Sequence, residues 1–209
     1  MRRKEPIKDI GYYHIGSRGA YGRPLFRNES EHELFLKLYA QAAERYGWKT
    51  LSWALMWNHH HFLIRLVDGG LSKGMREIHG GFSRRMNKED GLTNQGHLVR
   101  HCFFASECLS IESIKRRSRY IDLNPVKAGL CQRPDEWRWS SYGATMGLTY
   151  PRSFHEPNEL LELLSHDPRK ARRLYRSFIR EGTSEQDLEP WTEQGDRSET
   201  GLAVIQSAA

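Results

Sequence analysis

Two histidines, His59 and His61, stand two residues apart in the run Trp57-Asn58-His59-His60-His61-Phe62-Leu63-Ile64-Arg65. On a strand, side chains two apart share a face. Both imidazoles can then reach one metal ion, while His60 points the other way. Further along, Tyr120-Ile121-Asp122-Leu123-Asn124-Pro125-Val126 carries a hydroxyl and an amide one helical turn apart, on Tyr120 and Asn124. Neutral imidazole is the commonest side-chain metal ligand. Two imidazoles and an amide oxygen leave coordination positions open for phosphate oxygens and water, and they lack the thiolates of a structural zinc site. A metal held that way can polarise a phosphodiester. A phenol with a pKa near ~10 needs help to attack at neutral pH. Arg116 and Arg117 precede Tyr120 on the same helix side, where cations hold phosphate and favour phenolate. Each stretch alone has a plainer reading: a hydrogen-bonded histidine pair, and a tyrosine on a basic helix surface.

Elements of defined kind must position these groups. Tyr12-Tyr13-His14-Ile15 reads as a strand ending in the turn Gly16-Ser17-Arg18-Gly19. Ser30 and Glu33 have capping-box spacing, and Leu34, Phe35, Leu38, Ala42 and Tyr46 follow at helical spacing up to Gly47. Residues 49–56 and 59–67 read as a hairpin turning at Trp57-Asn58. Ser72 is placed to cap a second helix carrying Met75, Ile78, Phe82 and Met86, with Gly80-Gly81 inside it as a site of kinking or close approach. Residues 97–105 read as a fourth strand and 110–123 as a third helix, ended by Asn124-Pro125. This order predicts an α+β fold: a ferredoxin-like antiparallel β-sheet with helices on one face. Trp137-Arg138-Trp139-Ser140-Ser141-Tyr142 reads as packing of the chain against the sheet rather than as a base-stacking platform. A C-terminal helix is expected over 159–180, carrying Arg169, Lys170, Arg172, Arg173, Arg176 and Arg180.

The charge is uneven. The net charge is +6, yet residues 1–180 carry 31 bases against 19 acids, and the segment from Glu181 onward carries seven acids and one base. A basic body suits a polyanion, most simply nucleic acid. The expected organisation is a body over 1–145 that holds the candidate site, a basic helical extension over 146–180 and an acidic, disordered tail over 181–209. Cys102, Cys108 and Cys131 form no CxxC pair and read as reduced thiols. No apolar stretch suits a signal peptide or a membrane span, so a cytoplasmic protein without membrane contact is expected.

Several segments resemble one known family. Ser17-Arg18-Gly19, then Leu55-Met56 followed by Asn58-His59 and His61, then Arg119-Tyr120-Ile121, Leu123-Asn124-Pro125-Val126 and Ala128-Gly129-Leu130, then Trp139-Ser140-Ser141-Tyr142 stand here in that family's order. They resemble the single-tyrosine HUH transposases, and within them the transposases associated with repetitive extragenic palindromes, across roughly residues 10–145. The resemblance implies that His59 and His61 are metal ligands, with Asn124 as the third and Mg²⁺ or Mn²⁺ as the ion. It implies that Tyr120 attacks single-stranded or hairpin DNA, leaving a 5′-phosphotyrosine and a free 3′-hydroxyl. Arg18, Arg84, Arg85, Arg116 and Arg117 are the expected DNA-binding cations. No protein partner is indicated, and the palindrome-associated branch implies a monomer acting in cis. Three positions depart from the pattern: Trp57 stands for a common proline, His60 for a large apolar residue and Asp122 for a common histidine.

Two other classes compete. A non-catalytic DNA-binding regulator would keep the fold without turnover. An RNA-binding ferredoxin-like module would carry exposed aromatics on its central strands, and the K/R-G-F/Y signature of such modules is missing from this sequence.

Overall fold

The computed structural model describes residues 7–20, 23–91, 98–99 and 103–182. The elements run β1 (Gly11–Arg18), α1 (Glu29–Arg45), β2 (Lys49–Leu55), β3 (His59–Leu66), α2 (Leu71–Glu89), β4 (Phe104–Cys108), α3 (Ile111–Lys127), α4 (Tyr142–Thr145), α5 (Pro157–Glu162) and α6 (Pro168–Glu181), with a 3₁₀ turn at Pro134–Glu136. The four strands form one antiparallel sheet in the order β2-β3-β1-β4. The ferredoxin-like α+β class expected from the order of elements is what forms.

Strand alternation divides the sheet residues between two cores. Tyr13, Ile15, Phe62, Ile64 and Leu66 pack under α1 and α2 with Phe35, Tyr39, Met75, Ile78 and Phe82. Leu51, Ala54 and Leu63 pack on the other side with Ile121 of α3, Leu160 of α5 and Tyr175 and Ile179 of α6. The pair α1 and α2 therefore covers one face as expected, and α3 with the C-terminal helices covers the second. The helical extension shares a core with the sheet.

Local chemistry moves several boundaries. Helix α1 is capped by Asn28, whose side-chain oxygen accepts from Glu31 N at 3.0 Å, in place of Ser30. Helix α2 starts at Leu71 behind Gly70, which takes a left-handed φ of 75°, so Ser72 lies inside the first turn. Gly80 and Gly81 neither break nor end it. A Cβ at Gly81 would meet Leu38 Cδ2 at 3.4 Å, an ordinary contact, so the approach of α1 and α2 does not depend on glycine there. The fourth strand begins at Phe104, later than expected, and Val99 bridges to Gly19 on its own. Helix α3 does not end before Pro125 but runs to Lys127. The missing proline N–H costs one intrahelical bond, and the helix keeps Tyr120 and Asn124 one turn apart. The expected C-terminal helix is broken into α5 and α6. Pro168 is tolerated only in a first turn, and Asp167 caps that turn by accepting from Arg169 N and Lys170 N. The acidic tail expected from Glu181 lies, beyond Gly182, outside the described residues.

The 137–142 segment packs as expected. Trp139 is buried and stacks on His32 at 4.4 Å, and Trp137 Nε1 donates to Leu55 O at 2.9 Å. It also delivers Ser141 into a buried polar cluster. The Asp122 carboxylate accepts from Ser52 Oγ (3.1 Å), Ser141 Oγ (3.1 Å) and Tyr175 Oη (2.6 Å). One side chain of α3 is thereby tied to β2, to the segment before α4 and to α6. Tyr175→Phe removes the shortest of these bonds with little change in volume. It should destabilise the protein by about 1–3 kcal/mol in urea unfolding, because a buried charge-assisted bond is lost.

Candidate active site

The second face of the sheet carries the expected residues. His59 and His61 alternate with His60 on β3, and their rings lie 5.1 Å apart between centroids. Antiparallel pairing sets His59 opposite Arg18 and His61 opposite Gly16 of β1. A Cβ at Gly16 would clash with His60 O and the Phe104 ring, so only glycine fits there. Helix α3 brings the rest. Asn124 Oδ1 lies 3.2 Å from His59 Nε2, and the Tyr120 ring lies 5.4 Å from the His61 ring. Tyr120 is partly exposed, while Asn124 is buried.

A third histidine completes the group, and no motif pointed to it. His14 Nε2 meets His61 Nδ1 at 3.0 Å, and the His14 ring lies 5.7 Å from Tyr120. Its only signal in the sequence was its place in a short strand; the neighbour it meets comes from β1–β3 pairing.

The imidazoles are neutral at pH 7. Burial lowers His59 to about 4, and Arg18 adds to the shift. Burial, and then the neighbouring His14, holds His61 well below its ordinary value. Burial takes His14 to about 3. A neutral imidazole has one N–H, and the contacts say where it sits. His59 Nδ1 lies 2.7 Å from Asn58 Oδ1 and donates to it, so Nε2 keeps its lone pair toward Asn124. His61 Nδ1 and His14 Nε2 share one proton across their 3.0 Å contact, which fixes the orientation of the His61 ring.

The expected DNA-binding arginines divide between the two faces. Arg18 is exposed beside His59. Of the two arginines on α3, Arg117 is half-buried and interacts electrostatically with Tyr120, whereas Arg116 is exposed. Arg84 and Arg85 lie on α2, across the sheet from the histidines. Arg84 lines an α1–α2 cleft with Leu38 and Glu77, and Arg85 pairs with Glu89. His60 is fully buried on that opposite face, 3.3 Å from His79 Nε2, and so cannot compete as a ligand beside His59. Asp122, between Tyr120 and Asn124, points away from the site into its own cluster. Among the described residues no three histidine, cysteine or carboxylate side chains converge as a metal cluster. A metal on His59 and His61 would therefore take the Asn124 amide.

The family model described as "Transposase IS200 like" matches residues 9–124, from the strand of His14 through Asn124. The chain belongs to the IS200-like transposase family. No curated protein sequence matches it significantly. Among solved structures it is similar to a REP-associated tyrosine transposase bound to a REP hairpin, at 18% identity and a TM-score of 0.59, covering 75% of this chain and 96% of that one. That likeness supports the transposase fold. A candidate transposase from Deinococcus radiodurans (15% identity, TM-score 0.40, 54% of this chain and 89% of that one) is a weaker likeness. So is the tRNA(His) guanylyltransferase from Saccharomyces cerevisiae (13%, 0.39, 80% and 81%). Neither adds to the fold assignment. No helix among the described residues of this IS200-like transposase is long and apolar enough to cross a membrane.

Burial gives the fold a signed pH dependence. His14 and His155, lowered to about 3 and about 4, contribute stability above the unfolded imidazole value, lost as pH falls through the folded values. Asp122, raised by burial to about 6, has the opposite sign: its contribution is present below the unfolded value and lost as pH rises through about 6. Each histidine held neutral costs about 1.4 kcal/mol per pH unit below ~6.5. Unfolding free energy should therefore fall from pH 7 to pH 5, and more steeply in Asp122→Asn. Urea titrations at the two pH values check this; an equal or shallower fall in the variant would refute the Asp122 assignment.

Proposed function

We propose that this transposase cleaves and rejoins single-stranded DNA beside hairpins through a covalent 5′-phosphotyrosine on Tyr120. The carrying observation is the convergence of His59, His61 and Asn124 with Tyr120 on one covered sheet face, two of them from β3 and two from α3. The family supports the DNA reaction. The hairpin bound by the similar REP-associated transposase supports the substrate class.

The donor set fits a divalent cation. Two neutral imidazoles lie side by side, and the Asn124 amide oxygen faces His59 Nε2 at 3.2 Å. Mg²⁺ or Mn²⁺ bound there would polarise the phosphodiester and stabilise charge on its oxygens. The chain's own residues do the remainder. Arg18 and Arg117 flank the site with positive charge that holds phosphate. The Tyr120 oxygen forms a bond to phosphorus as the bond to the 3′ oxygen breaks. The phenolic proton is balanced by protonation of the departing 3′-hydroxyl. Reversal by another 3′-hydroxyl rejoins DNA without ATP, because the phosphotyrosine keeps the bond energy. Tyr120 lies against His61 of its own chain, which supports action in cis by a monomer. Both sheet faces are covered, so the central strands offer no aromatic platform for RNA, and the RNA-binding reading loses its surface.

Tyr120→Phe should abolish the denaturant-resistant protein–DNA adduct while leaving the fold intact. An adduct that persists, or that maps to Tyr142, would refute the role of Tyr120. His61→Ala should lose cleavage in Mg²⁺ yet retain most DNA affinity, since phosphate contacts supply most of that affinity. His14→Ala should weaken Mn²⁺ binding by about 10–100-fold in calorimetry, the range for an outer partner that orients a ligand. Unchanged affinity would exclude His14 from that role.

A further inference from the structure

Helix α6 carries a stripe of cations that the site described above does not use. Arg169, Arg173, Arg176 and Arg180 recur at intervals of four, three and four, and all are exposed. On a helix this spacing draws one line. Ala171, Tyr175 and Ile179 occupy the opposite face and are buried. The stripe therefore faces straight out. The only acid on the helix is Glu181, in its last position.

Two observations bear on this face. Several surface cations elsewhere are paired, Arg45 with Glu77, Arg85 with Glu89, Lys115 with Glu112, Arg138 with Glu29 and Arg152 with Glu33, and those without an ion pair, such as Lys37 and Lys73, form no such line. Among the described residues Arg169, Arg173 and Arg176 make no ion pair. The helix is also held rigidly against the nucleophile's helix. Tyr175 Oη donates to Asp122, and Arg119 of α3 lies 4.2 Å over the Phe178 ring. The charges are thus fixed relative to Tyr120.

We infer that the outer face of α6 binds the phosphate backbone of a DNA duplex, the stem of the hairpin whose unpaired flank enters the site. This rests on the DNA-cleaving role proposed above. The stripe spans about 16 Å at 1.5 Å rise per residue, which matches about five phosphates of one strand at 3.4 Å each. The exposed face has no aromatic ring, since Tyr175 is buried and Phe178 is turned toward α3. It offers phosphate contacts without the stacking platform that an unpaired strand uses. An anionic membrane is a poor fit, because the apolar side of α6 is buried in the core apart from Leu174, and one leucine is too little to insert.

The test compares wild type with Arg169→Gln/Arg173→Gln/Arg176→Gln by fluorescence anisotropy over a range of KCl. The probes are a labelled hairpin with a single-stranded flank and the flank alone. A charge-matched control, Lys37→Gln/Lys73→Gln/Arg76→Gln, removes three exposed cations from α1 and α2. The α6 variant should bind the hairpin at least 10-fold more weakly. Its slope of log affinity against log salt should be shallower by about 2–3, close to 0.9 per lost contact. Binding to the flank alone, and adduct yield at saturating flank, should be unchanged, as should the thermal midpoint of these surface substitutions. An unaltered hairpin slope, an equal loss on both probes, or the same change in the control would overturn the inference. If wild type forms no Tyr120 adduct, the cleavage reading fails on its own, and the hairpin slope still reports on the stripe.

Discussion

The buried carboxylate of Asp122 is the constraint on which the second face of the molecule depends. It sits on α3 between the nucleophile and the amide ligand of the proposed site. It accepts from a strand serine, a loop serine and a tyrosine of the last helix. A carboxylate removed from water is costly unless its oxygens are bonded, and here three hydroxyls converge on two oxygens. The arrangement fixes the rotation of α3 about its own axis. With Asp122 turned inward, Tyr120 and Asn124, each two residues away, are carried toward the histidines. A family position commonly filled by histidine is thus occupied by a group that works as a structural anchor.

The sheet acts as a partition. Three consecutive histidines share one strand, yet alternation sends His59 and His61 to the α3 face and His60 to the aromatic core beside Phe35 and His79. The same run of residues therefore builds part of a site and part of a core. Burial then does chemical work on the site side: it strips the imidazoles of protons at neutral pH, as a metal ligand requires. Asn58 accepts from His59 Nδ1, and His14 meets His61 Nδ1 at 3.0 Å, so each ring is held in place through one nitrogen. The two ligands are oriented by partners of different origin, one adjacent in the chain and one across the sheet.

The C-terminal helices extend this logic outward. Leu160, Ala171, Tyr175 and Ile179 complete the core beneath α3, so the extension closes a face of the sheet that would otherwise be exposed apolar surface. Closing it also sets the basic side of α6 toward solvent in a fixed orientation. An amphipathic helix has little choice in this: once its apolar side is buried, its charged side is aimed.

Periodicity and spacing alone determined the strand and helix order, the fold class, the shared face of His59 and His61, and the candidate pairing of Tyr120 with Asn124. Each of these rests on neighbours within a few residues. Boundaries set by competition between caps were less legible: Asn28 displaced Ser30, Gly70 displaced Ser72, and Pro125 failed to end α3 because the packing of Ile121, Asp122 and Leu123 holds the helix through it. Pro168, free of such packing, did divide the last helix. Only the tertiary structure brought in His14, moved Arg84 and Arg85 to the far face, chose Arg117 over Arg116 as the cation beside Tyr120, and gave Asp122 its three donors. Those facts depend on strand pairing and on helix rotation about the sheet, which bring together side chains far apart in the chain. Local spacing carries no record of them, because a long-range contact is decided by which buried groups satisfy one another.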